Sequence, residues 1–148
     1  MLRVVLAVAM AAALLAASLP AVDTARVHHG DERTVGELDA LEAAATTLAE
    51  RNDPPPPGVA GPRRTVTLSL PEGTWSAAAL ERLHIDPIDR SESYTPVRWR
   101  VDGGTSQTRQ LRANITTGER LVIEDGGQQR LVLELRSDGR VHLGRATP

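Results

Sequence analysis

The chain lacks several residue types, and each absence excludes a class of structure. It has no cysteine, so disulfide bonds and thiolate metal sites are excluded. It also has no lysine, so every one of its 17 basic residues is arginine. Phenylalanine is missing, and Trp75, Tyr94 and Trp99 are the only tryptophan and tyrosine rings. A hydrophobic core must therefore be built from leucine, valine, isoleucine and alanine.

The net charge and the motifs of the sequence restrict the classes of function that we expect. The net charge is −2, which does not favour a nucleic-acid partner. The sequence contains no phosphate-binding loop, dinucleotide fingerprint or nucleophile elbow. We therefore expect no enzyme activity, no cofactor and no metal. The length of 148 residues suits one modest domain once targeting and linker segments are set aside.

The opening segment "MLRVVLAVAMAAALLAASLPAVDTAR" has the composition of a membrane anchor or a signal peptide. Val4–Val22 carries no charge, and a helix of that length spans about 28 Å, close to the hydrocarbon core of a bilayer. Cleavage after Ser18, Ala21 or Ala25 would lack a clean small-x-small site followed by a permissive residue. We expect an uncleaved single-span anchor over residues 1–26, with a cleaved signal as the alternative.

A second helix is predicted over residues 27–51. Thr34 and Glu37 have the spacing of a capping box. Four consecutive prolines then predict the helix end and a stiff Pro/Gly linker over residues 52–64. The helix carries one apolar stripe, formed by Val35, Leu38, Leu41, Ala45 and Leu48.

Residues 65–148 show the period-two pattern of strands, as in "TVTLSL", "VRWRV" and "RLVLELR". Leu80–Ile85 is also predicted as a strand, although Ser76–Leu83 has some helical character. Three D-G turns predict hairpins in an antiparallel meander. The predicted fold class is mainly β with N-terminal helices, and the β domain forms a small antiparallel sandwich or partial barrel of about six or seven strands.

Few residues suggest a site. Adjacent His28 and His29 lack the i, i+4 spacing of a helical zinc pair. Asp86 and Asp89 could be imagined as an acid pair, but Pro87 makes a turn the simpler interpretation. Asn114 begins an N-I-T triplet and is a candidate N-glycosylation site if the domain lies outside the cell.

Arginines are frequent on the polar faces of the predicted strands. We expect most of them to pair with carboxylates across the sheet, with binding of a partner's carboxylates or a glycan as the alternative. The arginines are Arg98, Arg100, Arg109, Arg112, Arg130, Arg136 and Arg140. The expected carboxylates are Asp102, Glu119, Glu124, Glu134 and Asp138.

The opening segment, the stretch "ELDALEAAATTLAERNDPPPPGVAGPRRTVTLSLPEG" and the closing "RLVLELRSDGRV" resemble a family of short, uncharacterised, membrane-anchored proteins of halophilic archaea. The resemblance implies no assigned activity and a loose association with type IV pilus-like or secretion gene clusters. The layout is also similar to pilins and pseudopilins. It departs from them because only "MLR" precedes the apolar run, where a prepilin signal would need basic residues and a small residue.

These features together predict an accessory or structural protein of the cell membrane. It would span the membrane once, with the C-terminal domain extracytoplasmic, because long trailing domains are exported largely regardless of charge. The expected partners are the membrane and other membrane or surface-apparatus proteins. The alternative is an exported β-domain module that binds a protein or glycan after signal cleavage.

Overall fold

The computed structural model describes residues 1–88, 92–112 and 114–146, which form one long helix followed by eight strands. The helix, α1, spans Leu2–Arg51. The strands are β1 Arg63–Leu70, β2 Leu80–Ile85, β3 Thr95–Val101, β4 Gln107–Leu111, β5 Ile115–Thr117, β6 Leu121–Ile123, β7 Gly127–Leu135 and β8 Val141–Arg145.

The strands form two sheets of four, in the orders β1-β7-β8-β5 and β4-β3-β2-β6. Inward-facing leucine, isoleucine and valine side chains of both sheets meet in one core, together with the second half of α1. The predicted mainly β fold is confirmed, and the sheets do not close into a barrel. We call the two sheets with residues 27–51 of α1 the head.

The predicted apolar segment and the predicted amphipathic helix are parts of one helix, because α1 runs without a break from the apolar segment into the head. Pro20 lies inside it, although proline removes one backbone donor. The expected capping box at Thr34 does not form. Thr34 is buried in the helix interior and its hydroxyl donates to the carbonyl of Gly30 at 2.9 Å, while the Glu37 carboxylate accepts the amide of Ser69 at 2.9 Å. A capping box needs free backbone amides at the start of a helix. Thr34 lies inside α1, where the backbone amides already bond to carbonyls of the preceding turn, so both side chains bond elsewhere.

The predicted apolar stripe of the helix is confirmed. It packs against β1, β7 and β8 of the first sheet and β3 of the second. Full burial of a leucine contributes about 1.5–3 kcal/mol, so the stripe is a large part of the core. Its buried members are Leu38, Leu41, Ala44, Ala45 and Leu48, with Val35 partly buried beside them.

The Pro/Gly segment after α1 lies against the end of β7. The carbonyl of Pro62 accepts the amide of Leu135 at 3.0 Å. A Cβ at Gly61 would lie 1.8 Å from the carbonyl oxygen of Leu135, so only glycine allows this approach. The segment therefore holds β1 beside the helix instead of separating the two.

Two of the three D-G turns form the predicted hairpins. Gly103 and Gly139 take the positive φ that these turns need and connect β3 to β4 and β7 to β8. The strand Leu80–Ile85 is also confirmed.

The meander prediction is wrong at the second D-G turn. β6 pairs with β2 and β7 pairs with β1, so the turn at residues 125–127 carries the chain from the second sheet to the first. In addition, β5 pairs with β8 in parallel. The physical reason is that β1 already occupies the edge of β7 on which β6 would have paired.

Candidate functional site

The first half of α1 protrudes from the head. Its apolar side chains, including Leu14 and Leu15, are exposed, and none of its most apolar 18-residue window is buried. The helix is long and apolar enough to cross a membrane, and a signal sequence near an N-terminus meets the same test. It is therefore a candidate membrane anchor.

Polar side chains in and beside the apolar run bond to the helix itself. The Ser18 hydroxyl donates to the carbonyl of Leu15 at 2.8 Å, and the Thr24 hydroxyl donates to the carbonyl of Pro20 at 2.9 Å. An unsatisfied donor inside a bilayer costs several kcal/mol. These two hydroxyls avoid that cost without help from another chain.

The helix enters the head through a region that we call the neck, made of helix residues 23–31, loop 71–79 and turn 102–105. The amide of Ala78 donates to the carbonyl of Arg26 at 2.9 Å. This bond joins the loop to the helix about one turn after the apolar run ends.

Two further contacts fix the neck. A Cβ at Gly30 would lie 2.7 Å from the carbonyl oxygen of Ala78, so the loop approaches the helix where the side chain is absent. The indole Nε1 of Trp99 donates to a carboxylate oxygen of Asp31 at 3.0 Å, and this ring is otherwise buried in the core. The helix part of the neck is therefore bonded both to Trp99 on β3 and to the loop.

A cleft of about 580 Å³ lies at the neck. Arg26 contributes to its wall, and its buried Nε atom has no hydrogen-bond partner among the described residues. Its guanidinium reaches the carboxylate of Asp23 only at 3.8 Å. The cleft is lined by Asp23, Thr24, Arg26, Val27, Ala78, Asp102, Gly103, Gly104 and Thr105.

The outer face of the second sheet places basic residues directly opposite one another. Arg82 on β2 pairs in register with Arg100 on β3, and His84 pairs with Arg98. Like charges opposite each other destabilise a sheet unless they are compensated. A shallow cleft of about 250 Å³ lies on this face, lined by Glu81, Arg82, His84, Arg98, Trp99, Arg100 and Ser106.

Carboxylates compensate most of this charge. Glu81 is hydrogen-bonded to Arg100, which lowers the pKa of Glu81 and raises the pKa of Arg100. Asp86 accepts hydrogen bonds from Arg98 at 3.1 Å and from Arg120 at 2.5 Å. The arginine side chains of these three pairs are exposed, so solvent and salt screen the attraction.

Strand arginines do pair with carboxylates, as expected, but most of the partner carboxylates are not the expected ones. Arg109 contacts Asp39 at 2.5 Å and Glu42 at 3.3 Å, both on the helix. Among the expected carboxylates, Glu134 contacts an arginine of the predicted set, Arg136, at 3.7 Å. The partners differ because strand register and helix position decide which charges meet, and neither is visible in sequence spacing.

The adjacent histidines lie on the exposed surface of α1. His28 Nε2 lies 3.2 Å and His29 Nδ1 lies 3.3 Å from the two carboxylate oxygens of Glu32. Within the described residues, no three histidine, aspartate or glutamate side chains are grouped so that they could hold a metal ion.

Two further candidate residues, Asp86 and Asn114, lie outside the neck. Asp86 is engaged with two arginines, and Asp89 lies outside the described residues, so the acid pair is not brought together in the described part of the chain. Asn114 is exposed and has a positive φ of 47°, a conformation that asparagine tolerates better than most residues. It lies beside Val141, at the end of the head opposite the neck.

Sequence reasoning missed the residues that build the neck. Gly30 carried a usable signal, because a glycine inside a helical pattern often marks a close packing contact. Asp31 carried none, since its partner Trp99 is far away in sequence and only the folded chain brings them together.

Comparisons with known proteins identify a family of unknown function. No curated protein matches the chain, and no solved structure does. The family model for DUF7311, a domain of unknown function, matches residues 1–146, which include the apolar half of α1 and both sheets. The chain therefore belongs to the DUF7311 family, as the resemblance to an uncharacterised family had indicated.

Proposed function

We propose that this protein is a single-pass, membrane-anchored accessory or structural subunit whose head faces outward, and that it works with other membrane or surface-apparatus proteins. The observation that carries the proposal is the continuity of α1. One helix is exposed and apolar in its first half and forms part of the head's core in its second half. The proposal assigns the protein no catalytic activity.

The setting that we propose is a pilus-like or secretion apparatus of a halophilic archaeon. The support is the shape, in which half of a long N-terminal helix protrudes and half packs against β-sheets, as in the layout of pilins. The lysine-free, arginine-only composition is consistent with a salt-loving host.

Fractionation of the full chain from its host tests the anchor. We expect the intact chain, beginning at Met1 by mass spectrometry, in the membrane pellet after a carbonate wash. Leu14→Arg should release a large fraction of it, because an arginine at the middle of a span costs about 2.5–3.5 kcal/mol. Val59→Arg is the matched control, since Val59 is an exposed apolar residue of the segment after α1, 59% accessible, and should leave the distribution unchanged.

A soluble mature chain that starts near Leu19–Asp23 would contradict the anchor and support export with cleavage. The head would survive such a cut, because the helix residues that pack in it begin at Arg26. The cleft between Arg82 and Arg100 would then be the candidate binding surface for an acidic glycan or protein. Arg82→Gln should weaken such binding, since Glu81 compensates Arg100 through a direct hydrogen bond and feels Arg82 only through attraction at a distance.

Sidedness is testable because the chain has no cysteine. Glu119→Cys introduces a single thiol on the exposed loop between β5 and β6. A membrane-impermeant maleimide should label it in intact cells. Labelling only after lysis would place the head in the cytoplasm and overturn the outward orientation.

Partners require a crosslinker suited to this composition. Amine-reactive reagents have no lysine to attack on this chain, so a carbodiimide should couple its carboxylates to lysines of a neighbour. Recovery of a pilus-like or secretion component from detergent-solubilised membranes would support the accessory role. Recovery of the chain alone would count against it.

A further inference from the structure

We propose that loop 71–79 seats the side chain of Trp75 in the headgroup layer of the membrane that holds α1, so that the head has a second contact with the bilayer. The inference rests on the proposed anchor and adds to it the position of the head. The helix would fix the protein in the membrane, and the loop would fix the head against its surface.

The level of the loop along the helix carries the argument. The apolar run ends at Val22, and the loop is bonded to the helix at the carbonyl of Arg26. Four residues of helix span about 6 Å. The headgroup layer is roughly 5–7 Å thick on each side of the hydrocarbon core. A helix whose apolar run fills the core therefore places the loop within the headgroup layer.

Trp75 is the residue of the loop suited to that layer. Its side chain is 88% exposed, whereas the ring of Trp99 is only 5% exposed. Tryptophan has a large apolar body and a polar N–H, and it is enriched at membrane–water interfaces for that reason. If the ring faced water, no free energy would be gained from burying its apolar surface.

The loop holds Trp75 in a defined place. The amides of Ser76 and Ala77 both donate to the hydroxyl of Thr74, at 3.3 and 3.1 Å, and the amide of Thr74 donates to the carbonyl of Ala77 at 2.8 Å. Ala77 and Ala78, two and three residues after the tryptophan, are buried. The ring therefore projects from a closed turn whose base is packed into the head.

The charges near the loop favour apolar insertion over attraction to anionic lipid. Asp23 and Asp102 line the neck, and Glu72 precedes the tryptophan by three residues. Arg26 is the basic residue that faces them in the cleft. Insertion should therefore occur in uncharged membranes and should depend little on salt.

The test uses the full chain reconstituted in phosphatidylcholine vesicles that contain lipids brominated near the headgroup. Flotation and intact mass are measured first, and tryptophan emission second. For a chain that floats, we expect tryptophan emission to be about half of its value in the same vesicles without brominated lipid, because one of the two tryptophans contacts lipid. In Trp75→Ala, which also floats, the remaining emission of buried Trp99 should change little.

A matched control moves the tryptophan. Trp75→Ala combined with Val59→Trp places an exposed ring in the segment after α1, at the far end of the head, and should restore emission without restoring quenching. Equal quenching of the natural chain and Trp75→Ala, or free access of iodide to Trp75 in vesicles, would overturn the inference and leave the loop facing water or a protein partner. A chain that does not float would overturn the anchor itself and this inference with it.

Discussion

Two glycines of α1 have opposite roles at the scale of the single residue. Gly30 is buried, and any Cβ there would meet the carbonyl of Ala78 at 2.7 Å and the side chain of Val101 at 3.3 Å. Gly36 is exposed and has nothing within 4 Å of the same position. Both lie in helical backbone, so the difference between them is the neighbouring loop and the side chain of Val101 on β3.

Gly30→Ala should therefore destabilise the head by about 1–3 kcal/mol, because the clash is with backbone that cannot rotate away. Gly36→Ala should stabilise it by up to about 1 kcal/mol, since alanine restricts the unfolded chain and favours helix. Chemical unfolding of the detergent-solubilised chain measures both. Two substitutions with equal effects would show that the loop does not pack against Gly30.

His142 gives the stability of the head a pH dependence. Burial and the charge of Arg136 lower its pKa, while Glu134, its cross-strand neighbour, opposes them. The folded state thus binds the proton more weakly than the unfolded state. The free energy of unfolding should be at its full value above the ordinary histidine pKa of about 6.5. It should decrease as the pH falls from there toward the lower pKa of His142 in the folded state.

Thermal unfolding at several pH values between about 7.5 and 5.5 tests this expectation. The natural chain should lose more stability than His142→Gln over that interval, because glutamine cannot take up the proton. Parallel curves for the two chains would exclude His142 as the cause.

At the scale of the element, the helix and the strands were predictable and several connections were not. The apolar stripe that contains Leu38 and Leu41 and the alternation in β3 each arise because one face of the element is buried. Such a pattern is visible within a short stretch of sequence. The path of β6 into β7 and the parallel pairing of β5 with β8 depend on which edges other strands occupy. The neck escaped prediction for the same reason, because Trp99 and Asp31 meet only in the folded chain.

Leu41→Ala tests how far the head depends on the helix. Leu41 is fully buried in the shared core, so the change should cost about 2–5 kcal/mol through lost burial and a residual cavity. Leu15→Ala removes the same atoms from the exposed apolar half and should leave unfolding of the head unchanged. If Leu41→Ala unfolds at the same denaturant concentration as the natural chain, the helix is not part of the cooperative unit.

On the scale of the whole molecule, anchor and core belong to one element. Pro20 does not interrupt α1, and the described chain has no linker between the apolar segment and the head. The direction of the head is thus set by the direction of the helix. The Pro/Gly segment, placed after the helix, affects the path of β1 and not the join between the apolar half of α1 and the head.

The last strand should be essential for the head. β8 lies between β7 and β5, and Val141 and Leu143 are buried in the core. A chain ending at Arg140 should keep its place in the membrane but lose cooperative unfolding and become sensitive to protease. Retention of a sharp unfolding transition in that chain would contradict the single core.

The pairing of β1 with β7 also sets an order of events during biosynthesis. The helix and the first strand leave the ribosome early, whereas the strand that pairs with β1 is among the last to be made. Until then the apolar stripe at residues 38–48 lacks the cover of the first sheet, and contacts this distant in sequence form slowly. The core around this stripe can therefore close only after the strands nearest the C-terminal end have been made.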